Sequence, residues 1–161
     1  MTVWADGDSL QAELRGLLCR RASSPSGPRW RIVFVSARPL SLPEGIEKIV
    51  VEPGRDAADD RIAEACEPGD LAVTRDLVLA ERLAGKGLVV LNDRGDVFTA
   101  ENARERRSLR DRAAELRAAG LVPELSRRRT WGAAELKKFA DAFDRELTRA
   151  LARARDRGPL G

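Results

Sequence analysis

Acidic residues in the first half of the chain are spaced in a way that suits divalent-cation chemistry. Asp6-Gly7-Asp8 follows a short β-prone run, Asp56 and Asp59-Asp60 follow the breaker Pro53-Gly54, and Asp76 follows the apolar stretch Leu71 to Thr74. Each group comes just after a predicted strand and opens a predicted helix. In an open parallel sheet, the turns beyond the carboxyl ends of neighbouring strands lie along one edge, where the ligand crevice forms. Aspartates far apart in sequence can therefore meet there. An ionised Asp is short, hard and acceptor-only, so several of them around one point suit Mg²⁺ or Mn²⁺, ions that keep waters and bind substrate phosphate. A second reading applies to each acid taken singly. Asp8, Asp56 and Asp76 also stand where a helix N-cap would, and Asp59 falls in a first turn; such roles stabilise by about 0.5–2 kcal/mol without any ligand. Capping accounts less well for Asp6, which ends its apolar run ahead of the cap position, and for the surplus Asp60.

What is missing narrows the chemistry further. With no His and no Tyr among 161 residues, imidazole acid/base catalysis, His metal ligands and Ser-His-Asp or Cys-His nucleophile systems are excluded. Cys19 and Cys66 are too few for a zinc cluster and lie in helical apolar patterns, so they read as reduced core thiols of a cytoplasmic protein. The first residues carry no basic n-region or apolar h-region, and no stretch approaches the roughly 20 apolar residues of a membrane span, so no membrane partner is expected. Charge is divided unevenly. Residues 1–100 carry 13 Lys+Arg against 16 Asp+Glu, whereas residues 101–161 carry 16 against 10. An acidic half able to hold a cation, followed by an Arg-rich half able to hold phosphates, suits a metal-dependent enzyme acting on nucleic acid; the competing reading is a set of solvated helix faces.

The elements that must position these residues follow from periodicity. Strands are predicted at Thr2–Ala5, Trp30–Val35, Ile46–Val51, Leu71–Thr74 and Leu88–Leu91, and helices at Leu10–Ala22, Ala57–Ala65 and Leu77–Ala84. Strands alternating with helices predict an α/β body over residues 1–99, with a central, mostly parallel sheet and helices on both faces. Residues 100–161 read as helix alone: one over Ala100–Ala119, a basic loop at Ser126–Thr130, and a second carrying Leu136, Phe139, Phe143, Leu147 and Leu151 on one stripe. These basic helices are expected to pack on the same domain as a C-terminal extension, with Arg157–Gly161 fraying. Trp4 and Trp30 are expected in strands, and Trp131 at the start of the last helix.

At this point the segments resemble the YaiI/YqxD family of uncharacterised bacterial proteins, nearly end to end. The residues that carry the resemblance are Val3-Trp4-Ala5-Asp6-Gly7-Asp8, Asp56-Ala57-Ala58-Asp59 with Ile62, and Gly69-Asp70-Leu71-Ala72-Val73-Thr74-Arg75-Asp76 with Leu79-Ala80. Leu91-Asn92 with Arg94-Gly95 and Arg110-Asp111 complete them. The chain departs from the family opening, which resembles D-A-D-A-C-P, because Ser9-Leu10-Gln11 here follow Asp8. The resemblance implies a three-layer fold similar to PIN-like nuclease domains. In it Asp6, Asp59 and Asp76 look like the catalytic acidic cluster, with Asp8 and Asp56 as further metal-ligand candidates.

The leading expectation is thus a Mg²⁺- or Mn²⁺-dependent phosphodiesterase acting on RNA, which is favoured, or on single-stranded DNA. Arg75, Arg94 and Arg110 are the expected phosphate clamps, and Arg104, Arg106, Arg107 and Arg127 to Arg129 would extend a track along the backbone. One alternative is a nucleic-acid binding module without turnover. Another is a phosphohydrolase resembling the haloacid dehalogenase group, with Asp6 as nucleophile; Lys48 and Lys86 do not match that group's lysine. A homodimer and an antitoxin-like protein partner are both compatible with the sequence.

Overall fold

The computed structural model describes residues 1–23, 30–121 and 131–156. Along the chain the elements are β1 (Thr2–Asp6), α1 (Ala12–Ala22), β2 (Arg31–Ser36), β3 (Glu47–Val50), α2 (Ala57–Ala65), β4 (Leu71–Val73), α3 (Leu77–Gly85), β5 (Val89–Leu91), β6 (Val97–Phe98), α4 (Ala100–Ala118) and α5 (Ala133–Asp156). The strands form one sheet in the order β3-β2-β1-β4-β5-β6, parallel throughout except for β6. Near-continuous apolar runs such as Ile32-Val33-Phe34-Val35 suit strands covered on both sides.

Alternation along the strands separates two cores. Val3, Ala5, Ile32, Phe34, Leu71 and Val73 face α1 and α5, where they meet Leu14, Leu18, Phe139 and Phe143. Trp4, Val33, Val35, Ala72 and Val90 face α2 and α3, where they meet Ile62, Leu79 and Leu83. The result is the expected three layers, helices on both faces of the sheet.

Strand order reverses at β1. The chain winds from β1 through β2 to β3 on one side, then returns to place β4 and β5 on the other. The carboxyl ends of β1 and β4 therefore flank the switch point, where an open α/β sheet leaves its ligand crevice.

Three features differ from the sequence reading. β6 is absent from it, because a two-residue strand has no period to detect; a turn over residues 92–96 folds it back against β5, with Gly95 at φ +76°. α4 runs as expected but buries only Ala103, leaving Leu109 and Leu116 exposed. Trp30 precedes β2 and packs edge-on against Phe143 at 5.8 Å. The basic loop, with Arg127 to Arg129, and residues 157–161 lie outside the described residues. Cys19 and Cys66 are buried and unpaired, and burial pushes both thiols up. Among the described residues no helix is long and apolar enough to cross a membrane.

Candidate active site

Asp6 closes β1, and on the alternation of that strand it shares the α2/α3 side with Trp4. Thr74 follows β4 on the same side, and its hydroxyl donates to Asp6 Oδ2 at 2.7 Å across the switch point. Both residues are buried, Asp6 to 4% exposure. The Thr74 hydroxyl oxygen also accepts from the Asp76 N–H at 3.0 Å. One threonine thus ties the acid of β1 to the acid that starts α3. Asp76 is a true N-cap, with Oδ1 accepting from the N–H groups of Val78 and Leu79 at 2.7 and 3.0 Å. The other Asp6 oxygen takes the Ser9 N–H at 3.3 Å.

Asp59, in the first turn of α2, completes the gathering. Burial, then the nearby carboxylates of Asp6, Asp76, Asp56 and Asp60, push its carboxyl from the ordinary 3.8 up to about 6. It accepts no hydrogen bond from any described residue. Asp6, Asp8, Asp56, Asp59 and Asp76 all line one open cleft of about 290 Å³, together with Ser9, Ala37 and Gly54.

The five acids are not equivalent. Asp8 is not a cap: the N-cap position of α1 is Gln11, and Asp8 instead accepts the Ala37 N–H at 2.6 Å, joining the β1 turn to the end of β2. Asp56 holds the N-cap position of α2 in a left-handed conformation, φ 60°, and makes no cap hydrogen bond. Asp60 leaves the group and pairs with Arg82 at 2.5 Å. Among the described residues, no group of three or more Asp, Glu or Cys side chains is arranged to bind one metal ion directly. Hard oxygen donors with unmatched negative charge still fit Mg²⁺ or Mn²⁺, because such ions commonly take one or two carboxylates and complete their shells with water and phosphate. On this pattern one or two of Asp6, Asp59 and Asp76 would hold an ion, the others acting through water or charge.

The predicted cations divide sharply. Arg75 lies beside the cleft: it donates at 3.3 Å to the carbonyl of Ser9, which lines it, and its Nε is 3.3 Å from Asp93. Arg94 sits in the β5–β6 turn and reaches Glu135 of α5 at 3.4 Å. Arg104 and Arg107 both pair with Glu81 of α3, at 2.9 and 3.2 Å, and so clamp α4 to the body. Arg106 pairs with Asp96 and lies over the Phe98 ring. Arg110 pairs with its neighbour Asp111. Lys48 and Lys86 donate to the carbonyls of Leu40 and Ala63.

Three participants escaped the sequence reading. Thr74 and Ser9 hold Asp6, and Asp93, buried at the end of β5, anchors Arg75 and accepts from the Gln11 amide at 3.1 Å. Asp93 follows its strand just as Asp6 and Asp76 follow theirs, a signal that could have found it. Trp131 donates to the Asp93 carbonyl at 3.0 Å, so the start of α5 bears on the same turn.

Comparison with known proteins extends over nearly the whole chain. The profile of the family described as uncharacterized BCR, YaiI/YqxD, matches residues 4–149. A UPF0178 protein of Treponema pallidum is 43% identical over 159 residues, which cover 98% of this chain and 87% of that protein. One from Myxococcus xanthus is 41% identical over 158 residues, with 94% and 97% covered. Another, from Bordetella bronchiseptica, is 35% identical over 165 residues, with 100% and 97% covered. No solved structure matches.

Proposed function

The chain belongs to the YaiI/YqxD family, and from that premise and the acids at its switch point we propose that it is a PIN-like, metal-dependent nuclease cleaving RNA or single-stranded DNA. The observation that carries this reading is the unmatched charge around Asp59. Five carboxylates line one cleft, and Asp59 among them is raised first by burial and then by repulsion from Asp6, Asp76, Asp56 and Asp60, a repulsion that a bound divalent cation would relieve. A bound Mg²⁺ or Mn²⁺ would supply Lewis-acid polarisation of a phosphoryl oxygen and activation of water at neutral pH. Around it, Thr74 and Ser9 fix the rotamer of Asp6, so that this acid is presented without reorganisation. Asp76 spends one oxygen on its cap and leaves the other for the cleft. Asp59, with no hydrogen bond of its own, is the acid most free to turn toward an ion or a water. Arg75, bonded to the carbonyl of Ser9, a residue that lines the cleft, would supply a guanidinium fork beside it, a geometry matched to phosphate.

The test is cleavage of labelled RNA and single-stranded DNA by purified protein with Mg²⁺ or Mn²⁺. Product should form with the parent, vanish with chelator, and fall away in Asp6→Asn and Asp59→Asn. Intact substrates with the parent, or variants that cut as the parent does, would overturn the reading. A second reading, a nucleic-acid binding module without turnover, is favoured by one observation: among the described residues no three acids are placed to ligate an ion directly. Metal-independent binding without product would select it.

A further inference from the structure

Three exposed arginines stand around the acidic cleft, each beside residues that line it. Arg38 follows Ala37 and lies 3.5 Å from Asp8, with its side chain 78% exposed. Arg55 sits between Gly54 and Asp56, is 96% exposed, and lies 3.9 Å from Asp56. Arg75 precedes Asp76, bonds the Ser9 carbonyl and is 50% exposed. They come from the turns after β2, β3 and β4, so along the sheet edge the order is Arg55, Arg38, the acids of β1, then Arg75. Three interstrand steps of roughly 4.8 Å spread this row over about 14 Å.

The contacts of Arg38 and Arg55 are long and solvated, and pairs of that kind contribute about 0–1 kcal/mol, whereas Arg75 is half exposed but reaches the buried carboxylate of Asp93. The guanidiniums of Arg38 and Arg55 can exchange their carboxylates for a phosphate at little cost, and Arg75, 50% exposed, can take a phosphate beside its contact with Asp93. The arginines of α4 are in a different position. Arg104 and Arg107 share Glu81, and Arg106 is held by Asp96 and Phe98, so to take a phosphate they must release contacts that dock the helix. A cleft walled by aspartates repels a polyanion, and cations at its mouth offset that repulsion. Its volume, about 290 Å³, suits the phosphate and sugar of one strand better than a stacked duplex.

We infer that Arg38, Arg55 and Arg75 form a rim that binds backbone phosphates of a single-stranded polynucleotide on both sides of the acidic cleft. The meaning of the rim as a guide toward a reacting phosphate rests on the nuclease reading, but the rim itself is a binding surface and is tested by binding. Arg38 and Arg55, not the basic C-terminal half, complete the work begun by Arg75.

The experiment measures anisotropy of a short labelled oligouridylate, and of the matched oligothymidylate, with Ca²⁺ present, across about 50–200 mM salt. Substrate integrity is checked on a gel. Three proteins are compared: the parent, the triple variant Arg38→Ala/Arg55→Ala/Arg75→Ala, and a control, Arg112→Gln/Arg117→Gln, on the exposed part of α4. The triple variant should bind roughly a hundredfold more weakly at low salt, with its log–log salt slope flattened by about 2; the control should follow the parent. Matching circular dichroism and urea midpoints establish that all three are folded. Comparable losses with both oligonucleotides support a shared phosphate rim, and a loss confined to one supports it for that nucleic acid. The inference falls if the parent does not bind at the lowest salt, if the triple variant binds as the parent does, or if the control loses as much. Rim-dependent binding by a parent that cuts nothing with Mn²⁺ would leave the rim standing and remove the nuclease reading. Cleavage by a parent whose binding ignores the rim would do the reverse.

Discussion

Asp6 and Asp70 are similarly buried, at 4% and 8% exposure, and they sit at opposite ends of the same central strands in different company. Asp70, at the amino edge, accepts from the Thr2 N–H at 2.7 Å, the Trp4 indole at 3.0 Å and the Glu67 N–H at 3.2 Å. Its charge is spread over three donors and ties the start of the chain to the turn before β4. Asp6, at the carboxyl edge, has one hydroxyl and one long N–H, and shares its cleft with four further carboxylates. Burial of an acid therefore says little by itself. What separates a structural carboxylate from one poised for a ligand is whether the surrounding donors balance its charge.

This contrast can be broken by swapping one oxygen at either edge. Asp6→Asn should lower metal-dependent cleavage by roughly a hundredfold or more, since metal positioning supplies several kcal/mol of transition-state stabilisation, with little change in urea midpoint. Asp70→Asn should do the opposite. Its amide turns a donor toward groups that are themselves donors, and the loss is about 1–3 kcal/mol of stability with the specific activity of the folded fraction intact. Equal effects of the two variants on both readouts would erase the distinction.

A smaller effect sharpens the contrast from the side of α5. Gly95 turns the chain at φ +76°, and a Cβ there would press on the backbone of Lys138 and Phe139 and on the Ala142 methyl. Gly95→Ala should cost roughly 1–3 kcal/mol through strain and overpacking, read as a lower melting temperature. An unchanged melting temperature would mean that α5 does not rest on this turn.

The smallest expected effect is a pH dependence confined to the acidic edge. Folded Asp59 keeps its proton up to about pH 6, whereas the ordinary value is 3.8. Its contribution is fully present below pH 4 and is lost as pH rises through 6, so stability should decline over that window by about 1–2 kcal/mol after allowance for solvent screening. Subtracting the urea-unfolding profile of Asp59→Asn isolates this term. A parent profile that parallels the variant from pH 4 to 7 would contradict it.

Much of this arrangement was legible in the chain because it depends on local rules. Strand-then-aspartate placement, with one edge for all carboxyl ends, located Asp6, Asp59 and Asp76 at a common cleft. The same logic missed β6, too short to show a period, and misread Asp8, whose partner Ala37 lies 29 residues away. The surroundings of the arginines were hidden for a related reason. Arg104 and Arg107 looked like a phosphate track because Glu81, which holds both, belongs to a different helix. Arg38 and Arg55 are solitary loop residues, and only the strand order brings them to the cleft. Residues whose role is fixed by neighbours in sequence could be read; residues whose role is fixed by neighbours in space required the fold.

The central claim, that the carboxyl edge carries charge awaiting a divalent cation, is tested most directly by isothermal titration of Mn²⁺ at pH 7 into the parent, Asp59→Asn and Asp70→Asn. Binding by the parent and by Asp70→Asn, with binding lost or severely weakened in Asp59→Asn, is the predicted result. No heat of binding from the parent, or equal binding by all three proteins, would contradict it.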